Sequence, residues 1–259
     1  MSGAGTKHLV LIPSYNAGAR LAQTMREART SWQPVWVVVD GSTDGSAGAA
    51  LQLAEHDAGL RVFVLPVNCG KGAALLHGLQ AAHAAGYTHA LTMDSDGQHP
   101  ARLIGRFMSA SIERPDAMIL GRPVFDASAP LVRVRGRRIG NGWANLETLF
   151  AGVADSLYGF RVYPIADLLA IMQRQRWMRR FDFDTEAAVR LAWRGVVPIN
   201  LDAPVKYLRP DEGGVSHFRY GRDNLLLVWM HARLVVGFVL RLPWLIGRRL
   251  LRRPPFGAP

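Results

Sequence analysis

The sequence predicts an α/β fold: a mostly parallel, doubly wound sheet flanked by helices, with a helical tail at the C-terminus. Three observations lead there. Five short apolar runs, HLVLI (8–12), VWVVV (35–39), RVFVL (61–65), HALTM (89–93) and AMILG (117–121), lack the polar alternation of a half-exposed strand and suit strands buried on both faces. Alanine-rich helical stretches at 18–30, 45–57, 71–85 and 100–112 separate them, and a regular strand–helix succession is the pattern of a doubly wound layer. The first four runs are each followed by a polar, glycine-bearing loop. Ligands of such sheets bind on that side, beyond the carboxyl ends of the strands.

Taken in order, the loops read Pro13-Ser14-Tyr15-Asn16-Ala17-Gly18, Asp40-Gly41-Ser42-Thr43-Asp44-Gly45-Ser46, Asn68-Cys69-Gly70-Lys71-Gly72 and Asp94-Ser95-Asp96-Gly97-Gln98-His99-Pro100. Turn chemistry alone does not account for four such loops on one edge. After the fifth run, RPVFDASAPLVRVRGRRIG (122–140) is arginine-rich with few helix signals and reads as a mobile loop. Helical texture returns over 140–151, the short segment Asp155–Arg161 follows, and a helix over 184–194 and a strand over 196–201 are expected. The tail from Asn224 to Leu251 is apolar but interrupted by His231, Arg233, Arg241 and Pro243. No run in it reaches the roughly 18–20 uncharged residues of a spanning helix. It reads as one or two helices lying in a membrane interface, with arginines snorkelling to headgroups among Trp229, Phe238 and Trp244. A soluble helix with a basic solvent face is the alternative.

The chain has 259 residues, 49% of them hydrophobic, enough for one large domain with an appendage. A charged fraction of 20% excludes a disordered chain. Cys69 is the single cysteine, so an intramolecular disulfide is excluded and a reducing compartment fits. The start MSGAGTKHLVLIP has no charged stretch followed by a long apolar run, so no secretory signal is expected. The net charge of +11 is unevenly placed: from Arg222 onward seven arginines face one acid, Asp223, and carry +6 of it. Basic charge on the most apolar part of the chain points to an anionic membrane surface. The expected organisation is a catalytic domain over 1–220 and a basic amphipathic membrane-associating tail over 221–259.

Asp94 and Asp96 carry the sharpest chemistry. Two carboxylates one residue apart, just past a buried strand, suit a hard divalent cation such as Mg²⁺ or Mn²⁺, which prefers oxygen ligands and bridges to phosphates. Gln98 would add a carbonyl oxygen. The competing reading is an Asx-turn leading into the helix that starts near Pro100. Asp40, at the end of the second strand, would accept hydrogen bonds from a nucleobase or ribose. Asp44 and Ser46 read as helix caps. Lys71, between Gly70 and Gly72, would approach phosphates closely or stand as a solvated first-turn lysine.

Together, LIPSYNAG, VVDGSTDGS, NCGKGAALLHGL, LTMDSDGQHP, SLYGFRVYP and FDFDTEAAVRLAWRG resemble the family 2 glycosyltransferases of the GT-A fold, a Rossmann-like mostly parallel sheet. The likeness is to the branch of dolichyl-phosphate mannose and polyprenyl-phosphate glucose synthases and runs from about residue 8 to 218. It implies that Pro13, Tyr15 and Asn16 border the nucleotide, that Asp40 binds the base and that Lys71 belongs to the nucleotide loop. Where the family commonly shows two acids, Val39 precedes Asp40. Asp94 would face ribose and metal, Asp96 and Gln98 would complete the metal site, and Arg122 matches an arginine after the fifth strand. Arg138 falls where the family holds the acceptor phosphate, Arg209 in YLRPDEGGVSHF matches the arginine of the family's DRxxGxSK-like stretch, and His217 stands in place of the usual lysine after Ser216.

The implied reaction is inverting displacement at the anomeric carbon of a UDP- or GDP-linked sugar, with the metal and nearby cations stabilising the leaving diphosphate. A polyprenyl-phosphate or other lipid-phosphate acceptor needs only arginines to hold it, among them Arg133, Arg135, Arg137 and Arg138. A hydroxyl acceptor, on a lipid, soluble glycan or small molecule, needs a carboxylate base. Asp184 and Glu186 are the candidates for it; Asp184 otherwise caps its helix, and the family's helix favours Glu186. The enzyme would sit peripherally on the cytoplasmic face of the membrane. A dinucleotide-dependent dehydrogenase is excluded because P-S-Y-N-A-G replaces G-x-G-x-x-G after the first strand. A nucleic-acid binder would spread basic residues over one face, whereas here the sheet loops are acidic. A non-catalytic scaffold or membrane binder sits poorly with intact acidic motifs.

Overall fold

The computed structural model describes residues 5–125, 131–205 and 220–251, with the side chains of 131–135 and 220 left out. Seven strands form one sheet in the order β3-β2-β1-β4-β6-β5-β7. They are β1 (His8–Ser14), β2 (Val35–Asp40), β3 (Leu60–Leu65), β4 (His89–Thr92), β5 (Ala117–Val124), β6 (Arg161–Pro164) and β7 (Val197–Pro204). All neighbours are parallel except β6, which runs antiparallel between β4 and β5.

The unalternating apolar runs are explained by two cores. Leu9 and Leu11 of β1, with Trp36 and Val38 of β2, face one core together with α3 (Lys71–Ala84), α6 (Ile165–Met172) and α7 (Phe183–Arg194). Val10, Ile12, Val35, Val37 and Val39 face the other, against α1 (Ala19–Ser31) and α4 (Ile104–Glu113). Successive side chains of a strand point to opposite faces, so a strand covered on both must be apolar throughout. Between β2 and β3 lies α2 (Ser46–Glu55), and a 3₁₀ turn over Ala101–Leu103 precedes α4.

Two expectations need correction. Where it is described, the 122–140 stretch is not an irregular loop: β5 continues to Val124 and α5 spans Leu131–Glu147, while 126–130 lie outside the described residues. Arginine's unbranched side chain is a good helix former, so an arginine-rich run does not argue against a helix. Within α5, Arg137 reaches Asp155 at 2.8 Å and Asn141 holds Ser156 through its backbone N–H and hydroxyl. Neither β6 nor α6 was anticipated. The strand order there is 4-6-5, and Thr92 at the end of β4 donates its hydroxyl to the Gly159 carbonyl just before β6.

The tail is a single helix, α8 (Tyr220–Leu251), continuous through Pro243. By length and composition alone it is sufficient to cross a membrane. It also packs one stripe, Met230, Leu234 and Leu245, against Ala144 of α5 and Val189 and Trp193 of α7. Its outer side exposes Leu225, Val228, Trp229, Val236, Val239, Leu240 and Trp244. Not every arginine turns outward as expected. Arg248 donates to the Ala192 and Trp193 carbonyls at the C-terminus of α7, and Arg233 is drawn inward to Glu186.

Candidate active site

The loops after β1, β2, β3 and β4 meet at the carboxyl edge of the sheet, at the point where the chain order reverses from 3-2-1 to 4. They are tied by short polar contacts. The Asn16 backbone N–H donates to Ser42 Oγ at 2.9 Å, the Thr43 N–H donates to Asn16 Oδ1 at 2.8 Å, and the Gly18 N–H donates to Asp44 Oδ2 at 2.7 Å. Asn16 adopts φ +44°, a left-handed conformation that asparagine tolerates better than most residues. Pro13 is buried beneath it, and Tyr15 and Asn16 are half-buried.

Asp40 is buried and fully engaged. Its Oδ1 accepts from the Cys69 N–H at 2.9 Å, and its Oδ2 accepts from the Gly70 N–H at 2.7 Å and from Asn68 Nδ2 at 3.0 Å. A carboxylate with both oxygens on one loop sets that loop's shape. Asp40 therefore builds the start of α3, which carries Lys71.

Lys71 is the centre of the cluster. Its Nζ lies 2.8 Å from Asp94 Oδ1 and 2.7 Å from Asp184 Oδ2. Burial works against the ammonium, but Asp184 and Asp94 outweigh it and hold the lysine pKa above its ordinary value. Burial likewise opposes the Asp94 carboxylate, yet Lys71, His99 and Arg161 pull its pKa down to about 2. Asp96 moves the other way: burial and then the Asp94 charge push its pKa up. Its Oδ1 accepts from the Gln98 N–H at 3.0 Å, and the Gln98 side chain is half-buried on the same turn. His99 accepts the Asp94 N–H on Nδ1 at 2.9 Å, and burial lowers its pKa against the pull of the two aspartates. Gly159 closes the floor: a Cβ there would stand 2.7 Å from Lys71 Nζ and 3.1 Å from an Asp94 oxygen.

Asp184 sits in the first turn of α7, with Oδ1 buried and without a hydrogen-bond partner among the described residues. The Tyr158 hydroxyl is buried in the same way, and burial, then the Asp94 charge, raises its pKa. Arg161, fully buried, donates to the Tyr163 hydroxyl at 3.0 Å, to the Asp155 carbonyl at 3.0 Å and to the Asp184 carbonyl. It is a fixed positive charge under the site, a role that its place in SLYGFR does not disclose. A lone arginine inside the apolar and aromatic run LYGFRVYP was the available signal.

A hard divalent cation fits this donor set. Asp94 and Asp96 oppose each other electrostatically, and a cation between them would relieve that repulsion with the oxygen ligands it prefers. Among the described residues there is no group of three or more His, Cys, Asp or Glu arranged to enclose a metal.

Other expected residues lie elsewhere. Glu186 is not at the cluster: one turn into α7 it is completely buried, with Oε1 on Arg190 at 2.7 Å and Oε2 on Arg233 at 3.0 Å. Arg122 is exposed and forms a bidentate pair with Asp202 across β5 and β7. Arg138 is exposed on α5, where its neighbour Arg137 makes the inward pair with Asp155. Arg209, Ser216 and His217 fall outside the described residues, as do the side chains of Arg133 and Arg135.

The doubly wound sheet, with its acidic, lysine-bearing carboxyl edge, has the GT-A architecture. Residues 9–180 match the glycosyl transferase family 2, and the chain belongs to that family. It is 30% identical over 162 residues to the polyprenol monophosphomannose synthase of Mycolicibacterium smegmatis, covering 60% of each chain, so it spans under two thirds of that relative. It is 27% identical over 193 residues to the undecaprenyl-phosphate mannosyltransferase of Micrococcus luteus, covering 72% of this chain and 78% of that one. The same fold occurs in glucosyl-3-phosphoglycerate synthase from Mycobacterium tuberculosis, solved with Mn²⁺, UDP-glucose and phosphoglyceric acid. That likeness has a TM-score of 0.61 and 17% identity, over 92% of this chain and 80% of that one. It occurs also in Staphylococcus aureus TarS 1–349 with UDP-GlcNAc, at a TM-score of 0.55 and 16% identity over 89% and 67%.

Proposed function

We propose that the protein transfers a hexose, with inversion, from a UDP- or GDP-linked donor to a polyprenyl phosphate or related lipid at the cytoplasmic face of a membrane, where it is peripheral. The observation that carries this reading is Lys71 held between Asp94 and Asp184 beside Asp96, at the carboxyl edge of the sheet. The polyprenyl-phosphate mannosyltransferase relatives support the acceptor class, and the exposed apolar side of a basic α8 supports the membrane. The proposed organisation is a transferase domain over 1–220 with a membrane-associating helix over 221–259.

In this reading the loop of Pro13, Tyr15 and Asn16 borders the nucleotide. Asp40 acts through the loop it shapes. Asp94, Asp96 and Gln98 would hold Mg²⁺ or Mn²⁺, which when bound neutralises charge on the departing diphosphate. Lys71 turns an ammonium toward the same phosphates. The acceptor oxygen attacks the anomeric carbon from the side opposite the diphosphate, and the electron pair of the breaking bond leaves on the nucleoside diphosphate. Arg138 and Arg209 are the proposed partners of an acceptor phosphate. The unpartnered Asp184 Oδ1 favours a second reading, a hydroxyl acceptor whose proton passes to Asp184.

The test incubates purified protein with UDP- and GDP-hexoses, with Mn²⁺ or Mg²⁺, and with either a polyprenyl phosphate or a hydroxylated lipid or glycan. Sugar on the lipid phosphate with inverted anomeric configuration is the expected product. Transfer only to hydroxyls would leave the second reading, and no turnover of any nucleotide sugar would remove both.

A further inference from the structure

One buried charge network outside the donor site joins α8 to it. Glu186 is completely buried between Arg190 of its own helix and Arg233 of α8. Arg233 also lies 3.8 Å from Asp182, and its guanidinium stacks 4.2 Å from the Trp177 ring. Two acids at the start of α7 thus share a cation supplied by α8. In a buried setting the loss of one member of such a group leaves an uncompensated charge and forces rearrangement.

The rearrangement has a defined path. Asp182 accepts the Met178 N–H on Oδ2 and the Arg180 N–H on Oδ1, both at 3.0 Å, and so shapes the 178–180 turn. Met178 is held there at φ +65°, a conformation a non-glycine residue keeps only when its surroundings impose it. This turn lies directly on the start of α3. The Arg179 carbonyl accepts the Ala73 N–H at 3.1 Å, and a Cβ on Gly72 would fall 2.0 Å from the Met178 carbonyl oxygen. A Cβ on Gly70 would likewise fall 2.4 Å from the Arg179 carbonyl oxygen, and between these two glycines stands Lys71, bonded back to Asp184 of α7. At the far end of α7, Arg248 of α8 caps the Ala192 and Trp193 carbonyls. The tail helix therefore grips α7 at both ends, and the N-terminal grip continues by backbone contact into the donor site.

We infer that Arg233 is a positioning residue for the donor site: its bond to Glu186 and approach to Asp182 hold the first turn of α7 and the 178–180 turn so that Lys71 and Asp184 meet. The seating of α8 on the body and the geometry of catalysis are then one equilibrium. This rests on the transferase reading above and adds a link between the membrane helix and turnover.

The test uses the full chain and compares wild type with Arg233→Met and Arg233→Lys. The readouts are kcat and KM for the nucleotide sugar, melting temperature, retention on anionic vesicles, and amide hydrogen exchange without added metal or nucleotide. Arg233→Met should raise exchange at 70–74 and 178–186 and lower kcat at least about tenfold, with donor KM changed less. Arg233→Lys, which keeps a charge for Glu186, should recover part of both. An anchoring role alone would raise exchange in α8 and weaken vesicle retention while leaving 70–74 and kcat unchanged, and that result overturns the inference. If Arg233→Met does not fold, Arg233→Lys is judged by the same readouts, and wild-type exchange and kcat in it overturn the inference as well. A wild-type protein that turns over no nucleotide sugar removes the transferase reading, while the exchange comparison still decides whether α8 is coupled to the Lys71 turn.

Discussion

The centre of the sheet carries a pair whose protonation can be read as stability. His8 opens β1 and His89 opens β4, and the parallel register sets them side by side, rings stacked at 4.6 Å and 10°. His8 is 6% exposed, its Nε2 is 3.0 Å from Ser111 Oγ, and the His89 Nε2 lies 2.9 Å from the Pro115 carbonyl. Burial and then the neighbouring His89 lower the His8 pKa from 6.5 to about 4. The unfolded chain therefore binds a proton between pH 6.5 and 4 that the folded chain refuses, so stability rises with pH through this window. The contribution is complete above about 6.5, falls as the pH drops towards 4 and levels below it; the gap corresponds to about 3 kcal/mol. Urea unfolding at half-unit pH steps, on wild type and His8→Asn, measures it. The wild-type free energy should fall over that window and the variant should fall by about 3 kcal/mol less. Equal slopes for the two proteins would refute the assignment to His8.

Four further outcomes test the site and the tail. Asp96→Asn should keep the melting temperature and lose at least about 100-fold in metal-dependent turnover, because an anionic oxygen that would hold the divalent cation is removed; turnover within a few-fold of wild type excludes Asp96 from the metal site. Gly159→Ala should lower kcat/KM by about tenfold, equivalent to about 1.4 kcal/mol, by displacing Lys71 and Asp94, and steady-state kinetics on the folded variant decide it. On α8, Leu234→Ala should cost about 2–5 kcal/mol in denaturant unfolding because it opens the packed stripe. Val239→Asp with Leu240→Asp, on the exposed side, should leave stability alone and release the protein from anionic vesicles in a flotation assay; continued flotation assigns the membrane contact to another surface.

Much of this protein follows from one-dimensional pattern. Unalternated apolar runs dictate strands covered on both faces, since each successive side chain must find a core. Their regular spacing dictates parallel pairing with helical crossovers, which in turn puts Asp40, Lys71, Asp94 and Asp96 on a common edge. The antiparallel β6 was not legible, because its four residues begin with Arg161 and end with Pro164 and so present no apolar run of the kind the other strands show. The start of α5 was hidden by arginines, which favour helix yet look like a solvated loop.

Tertiary structure decided which charged groups face one another. Asp184 and Glu186 are two residues apart on α7, and the 100° step of a helix sends Asp184 to Lys71 and Glu186 to Arg190 and Arg233. Asp40 reads from sequence as a ligand for the nucleotide, but three donors from the next loop claim its carboxylate first. Arg122 reads as a donor contact, but β7 brings Asp202 beside it. Residue type and spacing determine which chemistry the chain can present. Long-range pairing determines which carboxylate is left to do it, because every buried charge must first find a partner and only the folded chain supplies one.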